Sequence, residues 1–442
     1  MSRWPLDPPG AAILPSSSTV AGLPSVAAEG ALCWVTGRGR FFQRLAGDWI
    51  SRPEISDPAW ASASLSISSA GSDDAPGTAE DPIATMAEWG ERVSRLAIGQ
   101  ATLTLLDDLA EEDVTIAGDC GGLLDRWLYV TAAPGVLLST TLSAVTAWNL
   151  GAASNVVGTV TGTASLASHA GTSGGPGRLW RIVGGARDGA WGVLGAVESG
   201  AAVIFVPPVS ALYAVDTVTP QAGDTIEILD PLRLASRLRV GPNTRLFLDG
   251  LQVGDAGGHD VQVAAGAALL ASGCQFTGGI DALVAGFAEL TGCGLDVTAR
   301  AEGDGEGGGG KLSIRGCHAR GITARPGGLL ALSDIVTSYQ VSVSSWANAQ
   351  VVSGFVFADN PTSAAAWTLG KRSAVDAVGV LNGRGVAASA GRVVLGQGAM
   401  LTYAAKPNIT GTGTEYDCGG STGTFAGLPA ANTANGSYIV AR

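Results

Sequence analysis

A motif returns seven times between Ile226 and Phe357. Its reference position is Asp230, Gly250, Gly273, Gly292, Gly316, Asp334 and Gly354, at gaps of 20, 23, 19, 24, 18 and 20 residues. Four residues earlier stand Ile226, Leu246, Leu269, Ala288, Leu312, Leu330 and Gln350. Two earlier stand Ile228, Leu248, Ala271, Leu290, Ile314, Leu332 and Val352, and one later Pro231, Leu251, Cys274, Cys293, Cys317, Ile335 and Phe355. A coil of about 20 residues cannot bury its own apolar side, so the period implies stacked coils that share one core. Within each coil the apolar residues alternate, as in a strand, and a Gly or Asp then bends the chain. Short strands at fixed spacing with no helix between them imply a parallel β-helix. A leucine-rich repeat has the same period but needs an Asn or Cys after L-x-x-L-x-L and usually a helical return. The returns here, such as 278–284 and 341–349, have no helical stripe.

Three cysteines, Cys274, Cys293 and Cys317, hold the same place in successive coils. They fit a stack of small apolar side chains in the core. A disulfide is the alternative, because neighbouring rungs lie about 4.8 Å apart, inside the span of disulfide Cα separations. Parallel in-register side chains rarely reach its torsion. A zinc site with His318 is disfavoured, since strand alternation points His318 away from Cys317.

The length of 442 residues suits two to four domains. Charged residues are 14% of the chain, against a usual ~25%. A solenoid surface so poor in charge is easily buried against another copy, which favours an oligomer. The net charge of −12, with no Lys/Arg run, disfavours a nucleic-acid partner. Residues 1–24 lack a basic stretch followed by an apolar core, so no secretory signal is expected. The most apolar window, 191–213, is broken by Glu198 and Pro207-Pro208 and does not suit a membrane span.

The remainder divides by texture. Residues 1–66 hold a hairpin-like stretch, Glu29 to Thr36 and then Arg40 to Leu45, placed before the solenoid as an attachment module would be. Residues 67–126 carry turn chemistry, then a capping box at Thr85 and Glu88. Met86, Trp89, Val93 and Leu96 form one stripe of a short helix suited to plugging the open end of the solenoid. Strands follow at 102–106 and 114–116. Residues 127–222 lack the motif and are expected to form an inserted β-rich domain, with strand-like stretches at 127–143, 155–166, 179–195 and 201–213. The parallel β-helix is expected over 223–375, and a small β-rich segment over 376–442.

The stretch Gly71, Asp73, Pro76, Gly77, Thr78, Pro82, Thr85, Met86 resembles the opening of pectate-lyase-like right-handed β-helix proteins. That family commonly begins with G-x-D-x-x-P-G-T-x-x-x-P-x-x-T-hydrophobic, a capping helix and a first coil. The resemblance implies a right-handed, all-β solenoid and says little about function, since the fold carries lyases, hydrolases and inert adhesins alike. The N-terminal Gly30-Ala-Leu-Cys-Trp-Val with Phe41-Phe42 is similar to the first segments of phage tail spikes and fibres. The C-terminal Thr424 to Gly436 is similar to tail-protein C-terminal repeats. These resemblances imply a homotrimeric virion protein, made in the host cytoplasm. It would join a tail or baseplate protein through its N-terminal segment and bind a host-surface polysaccharide or protein receptor.

Motifs for chemistry are sparse. Gly171 to Gly175 reads G-x-S-x-G around Ser173, but it lacks the strand before and helix after that a nucleophile elbow needs. Gly305 to Gly310 matches a dinucleotide fingerprint only through low complexity; Glu302 and Asp304 would repel a pyrophosphate, and no βαβ unit surrounds it. The same acids lack the nonapeptide periodicity of a calcium-binding repeat. Asp224, Glu227, Asp230, Asp249, Asp255, Asp260, Asp281 and Asp296 are candidate carboxylates in the solenoid, where glycosidases and lyases of this fold use acid pairs or a calcium groove. They form no acidic column, and turn duty accounts for Asp230 and Asp334. His169, His259 and His318 are not at ligand spacing and read as surface or turn residues. The aromatics Phe247, Phe276, Phe287, Tyr339, Trp346, Phe355 and Phe357 share no single coil position. No residue is therefore assigned to catalysis, a cofactor or a metal. An attachment spike or fibre is the preferred reading, with a polysaccharide depolymerase on the same scaffold and a secreted adhesin as the other classes.

Overall fold

The computed structural model describes residues 13–17, 21–25, 31–35, 40–45, 48–52, 64–75, 77–94, 101–109, 113–116, 127–146, 158–171, 175–206, 219–235, 237–254, 259–303, 309–337, 341–358, 367–370, 372–377, 380–383, 386–388, 392–395, 400–403, 415–417 and 438–440. It is a parallel β-helix with three strands to a coil, as in Arg245–Asp249, Leu251–Val253 and His259–Val263. Each strand lies in register on its equivalents in the coils before and after. Leu246 faces Leu128 on one side and Leu269 on the other; Leu248 faces Val130 and Ala271. The column continues through Ala288, Leu312 and Leu330, and through Leu290, Ile314 and Leu332. These side chains are almost fully buried, and they merge into one core running from Leu65 to Val375. Each buried Leu or Ile contributes roughly 1.5–3 kcal/mol.

The reference positions explain the corners. Gly250, Gly273, Gly292, Gly316 and Asp334 all have left-handed backbones, with φ of 68°, 54°, 61°, 58° and 51°. A single left-handed residue turns the chain from the first strand to the second, and Gly or Asp adopts it at least cost. The turn leaves the ladder intact: the Gly250 N–H donates to Ser272 O at 3.1 Å and the Gly292 N–H to Arg315 O at 2.9 Å. The next residue points inward. Cys274, Cys293 and Cys317 are free, fully buried thiols, each donating to the carbonyl two residues earlier (Ser272, Thr291 and Arg315).

Both ends of the repeat need correction. Ile226, Ile228 and Asp230 are not a coil. They lie on strand Thr225–Asp230 of a closed six-stranded barrel, antiparallel to Gly135–Thr146 on one side and Leu179–Val183 on the other. A barrel strand with one wet face alternates as a solenoid strand does, so periodicity could not separate them. Conversely, Leu128–Ala132, expected in the insert, pairs with Ala101–Leu105 and Arg245–Asp249 as a solenoid rung. In the last repeat, Leu330 and Leu332 face Ala349 and Val351, not Gln350 and Val352, and the register then shifts at a bulge. Val352 is 49% exposed. Parallel pairing also runs past 375: Ala374–Ala377 stacks on Arg392–Leu395, and that on Glu415–Asp417.

The barrel core is Leu142, Val160, Trp180, Ile182, Leu194, Phe205, Ile226 and Ile228. Helix Met86–Ser94 buries Met86 and Trp89 in the core that also holds Ile67, Ile83, Leu103 and Ile116; Leu96 lies outside the described residues. Its start is held by more than the expected capping box. Thr85 Oγ1 accepts from Glu88 N–H at 3.1 Å, while Asp73 takes the N–H groups of Ala84 and Thr85 and the Thr85 hydroxyl. Glu88 forms a buried ion pair with Arg92 at 2.7 Å. At the N-terminus, Leu32–Val35 and Arg40–Leu45 form the hairpin within a four-stranded sheet. Phe42, one of the Phe41-Phe42 pair, is buried there, cross-strand from Cys33.

Candidate functional site

The barrel leaves the solenoid at one corner, after Ala132, and rejoins it at Leu232. It then leans over the second strand of the following coils. Leu179, Val193, Val206 and Leu229 of the barrel form an apolar cluster with Val336 of the solenoid. The Trp191 indole rests on the Gly273 corner, where a Cβ would lie 3.5 Å from Cδ1 and Nε1. Beneath the barrel, two residues past each reference glycine, runs a row in register: Gln252, Gln275, Gly294, His318.

Between barrel and row opens a cleft of about 350 Å³. The solenoid supplies Gln252, Gln275, Thr277 and Asp296, and the barrel the loop segments 168–170 and 176–178. That loop is fastened to the barrel by backbone bonds, Gly177 N–H to Leu194 O at 2.6 Å and Gly171 N–H to Gly195 O at 2.7 Å, and its two segments are joined by Arg178 N–H to His169 O at 2.9 Å. Gly177 has to be glycine, because a Cβ there would meet His169 O at 2.6 Å.

Asp296 is the carboxylate among the residues lining the cleft. Burial pushes its pKa up, against the opposing pull of the hydrogen bond from Gln275 and the charges of Arg320 and Arg178. Gln275 Nε2 donates to Asp296 Oδ2 at 3.3 Å. Its Oε1 is buried without a hydrogen-bond partner, tucked where a Cβ on residue 294 would come within 2.5 Å of it. Flipping the amide would set oxygen against carboxylate, so Asp296 fixes its orientation. Arg178 is tied to Asp230 at 3.0 Å. The cleft thus offers amide, hydroxyl, carboxylate, imidazole and guanidinium groups on two rigid supports.

The structure brings Asp296 and His169 together here; the other candidates lie elsewhere. Asp224, Glu227 and Asp230 belong to the barrel, not the solenoid, and pair with Arg187, Arg181 and Arg178 at 3.2, 2.7 and 3.0 Å. These three ion pairs tie the barrel strand to its neighbours and account for the acids structurally. Asp249 ends a first-sheet strand with its pKa raised by burial. Asp281 lies buried in the third sheet, in register with Gln262 and Arg300. Asp260 and His259 lie on strand His259–Val263. Asp255, Ser173, Asp304 and Tyr339 lie outside the described residues. His318 is neither a surface nor a turn residue: it is 2% exposed, with Nδ1 3.5 Å from Leu194 O of the barrel. Burial lowers its pKa to about 4 despite that bond. Among the described residues, no group of three or more His, Cys, Asp or Glu could hold a metal ion.

Arg178, Gln252, Gln275 and Thr277 escaped the sequence analysis. A signal for two of them was present: two residues after each reference glycine the chain reads Gln252, Gln275, Gly294, His318, a large polar column broken by one gap. One aromatic pair also went unread in the sequence. Tyr129 and Phe247 share a coil position on adjacent rungs, edge to face at 5.4 Å between centroids.

No family model matches the chain. Nor does any curated protein sequence. Among solved structures, it is similar to a glycoside hydrolase at 10% identity and a TM-score of 0.34, over 84% of this chain and 98% of that one. It is similar to the Gp54 tailspike of Acinetobacter baumannii bacteriophage AP22, solved in complex with A. baumannii capsular saccharide, at 11% identity and a TM-score of 0.22, over 77% and 68%. The tailspike gp49 of Pseudomonas phage LKA1 is similar at 12% identity and a TM-score of 0.22, over 77% and 72%. Likenesses this distant carry no weight for function, and the fold stands on its own strand pairing. No described helix is long and apolar enough to cross a membrane.

Proposed function

We propose that the protein is a tail spike or fibre of a phage or phage-like particle, attaching it to host-surface polysaccharide through the cleft between barrel and solenoid. The observation that carries this reading is the cleft itself. Its lining is rich in hydroxyl- and amide-binding groups, Gln252, Gln275, Thr277, Asp296 and His169, and it is built across two modules that each hold their half rigidly. Such a lining suits a ligand dense in hydroxyls. The sequence resemblances at the two ends supply the virion setting, and the charge-poor surface supports a homotrimer. Under the same reading the N-terminal sheet is the part that joins the tail or baseplate.

A depolymerase on this scaffold has one observation in its favour, the raised carboxyl of Asp296, since a general acid needs such a shift. Glycoside hydrolysis uses a second carboxylate about 5–9.5 Å away, and Asp230 is committed to Arg178. Binding therefore fits the cleft better than cleavage. The test incubates the full chain with purified host-surface polysaccharide, measuring affinity and then polymer size. Expected are binding, at least a tenfold loss with Asp296→Asn or Gln252→Ala, and an unchanged polymer. Absence of binding, or full affinity in both variants, overturns the cleft; a shortened polymer would favour the depolymerase.

A further inference from the structure

We propose that one longitudinal edge of the solenoid, apart from the cleft, is a track for an extended, negatively charged polysaccharide. The proposal rests on the protein being a polysaccharide binder and adds a second site with its own ligand chemistry. The edge is the row that opens each first strand: Arg245, Ala268, Phe287, Lys311, Leu329 and Asn348 in register on consecutive rungs. Trp127, one residue before Leu128, precedes Arg245 on the rung before. Two residues before Asn348 and before its partner Ala374 stand Trp346 and Arg372.

Along this edge a cation from one rung lies over an aromatic ring from the rung before, three times. Arg245 stands 5.8 Å from the Trp127 ring centroid, Lys311 5.5 Å from Phe287, and Arg372 4.4 Å from Trp346. The pairs occupy the first and second, fourth and fifth, and seventh and eighth rungs of the series. With rungs about 4.8 Å apart, they recur about every 14 Å. The chain carries a net charge of −12, and Arg92, Arg178, Arg181, Arg187, Arg237 and Arg325 all pair with carboxylates. Arg245, Lys311 and Arg372 have rings instead and no carboxylate partner among the described residues. Glu289, beside the middle pair, and Asp376, on the rung of Arg372, are the carboxylates of the neighbouring row.

Trp346 decides that the arrangement does more than stiffen the edge. It is 53% exposed and left-handed at φ 65°, as is Arg372 at 60°. The same corner elsewhere holds Gly266 and Gly327, which take this conformation freely, Asn243, which takes it at low cost, and Ala285, which like Trp346 and Arg372 pays for its Cβ. Ala285 bears the strain with a small side chain, whereas Trp346 and Arg372, both exposed, bear it on two successive rungs while presenting an indole and a guanidinium to solvent, and that combination of strain and exposure points to a ligand. An indole stacks on the apolar face of a sugar ring, and a guanidinium pairs with its carboxylate. A polymer lying along the axis would meet such a pair every third rung.

The test passes the full chain over immobilised polygalacturonate, alginate and hyaluronate, and over the same polymers with their carboxyl groups reduced. Expected is salt-sensitive retention on at least one acidic polymer and none on its reduced form. Affinity should fall at least tenfold with Arg372→Gln, which leaves Trp346 in place, and with Trp346→Ala, while Arg237→Gln, which removes an exposed cation outside both sites, leaves it unchanged. Melting curves establish that each variant is folded. Retention on no acidic polymer, equal retention of the reduced form, or variants with full affinity would overturn the track. If a neutral host polysaccharide still bound and Asp296→Asn abolished that binding, the cleft would stand without it. If no polysaccharide bound, both would fall. A change of oligomeric state on Trp346→Ala would make the edge an interface between copies and equally overturn the proposal.

Discussion

His318 of the solenoid lies 3.5 Å, through Nδ1, from the carbonyl oxygen of Leu194 in the barrel, 124 residues earlier in the chain. The imidazole is buried and its pKa is lowered to about 4 from 6.5, chiefly by desolvation. Protonating it inside the fold is therefore harder than in the unfolded chain. Stability should be full above pH 6.5, fall as pH drops toward 4, and then level off, by on the order of 3 kcal/mol in all. His318→Gln should flatten that limb. Urea unfolding at pH 4.5 and pH 7.5 measures both, and equal slopes in the two proteins would discount His318.

Cys293→Asp should cost several kcal/mol, because it buries a carboxylate in a row of thiols and aliphatic side chains. Cys293→Ala should be far milder. Yield of soluble, folded protein compares the two, and a stable aspartate variant would contradict the inward register.

Gly294→Ala should close the gap that holds the Gln275 amide, since the new Cβ would fall 2.5 Å from Oε1. Because the clash is with the end of a flexible side chain, Gln275 should swing aside at small cost in stability, while binding at the cleft weakens because Gln275 can no longer steady Asp296. Denaturation and polysaccharide affinity measured on the same sample test the coupling.

Asp73→Ala removes the acceptor for two backbone N–H groups and a hydroxyl at the start of helix Met86–Ser94. A loss of at least about 1–2 kcal/mol is expected, concentrated at the N-terminal end of the solenoid. Hydrogen exchange resolved by segment should show faster exchange over the helix and the first rungs only.

Two tryptophans should behave oppositely. Trp180 is fully buried in the barrel, edge-on to Phe205, and Trp180→Ala should cost about 3–5 kcal/mol. For Trp346→Gly, release of the left-handed strain, about 1–2 kcal/mol, offsets a lost ring–cation contact of about 0.5–1 kcal/mol. Stability should then stay within about 1 kcal/mol of the parent. Thermal melts of the two variants make the comparison.

What could be read from sequence followed from what repeats. Leu246, Leu269, Ala288, Leu312 and Leu330 form one inward column because a single left-handed corner recurs after each, and spacing alone revealed it. Ile226 and Ile228 imitated that column because barrel and solenoid strands share a period of two. Gln350 and Val352 slipped out of it at a bulge that composition does not mark. The cleft was illegible for a different reason. His169 and Arg178 reach Gln275 and Asp296 only because the inserted barrel leans back over the coils, and no local pattern encodes that angle. Tyr129 and Phe247 were hidden likewise, adjacent in space and separated by the whole insert.

The first and last residues of the barrel, Gly135 and Asp230, are themselves cross-strand partners. The rung at Leu128–Ala132 and the rung at Arg245–Asp249 must find each other across that insert, and an unstructured loop of this size makes such pairing slow. Once the barrel closes, its two ends meet, and the solenoid experiences it as little more than a tight turn. Folding should therefore run barrel first, with the coils zipping past it afterwards. A module whose ends coincide can also be exchanged for another of the same kind without disturbing the coils on either side, which makes this corner the natural place for the protein to acquire a new specificity.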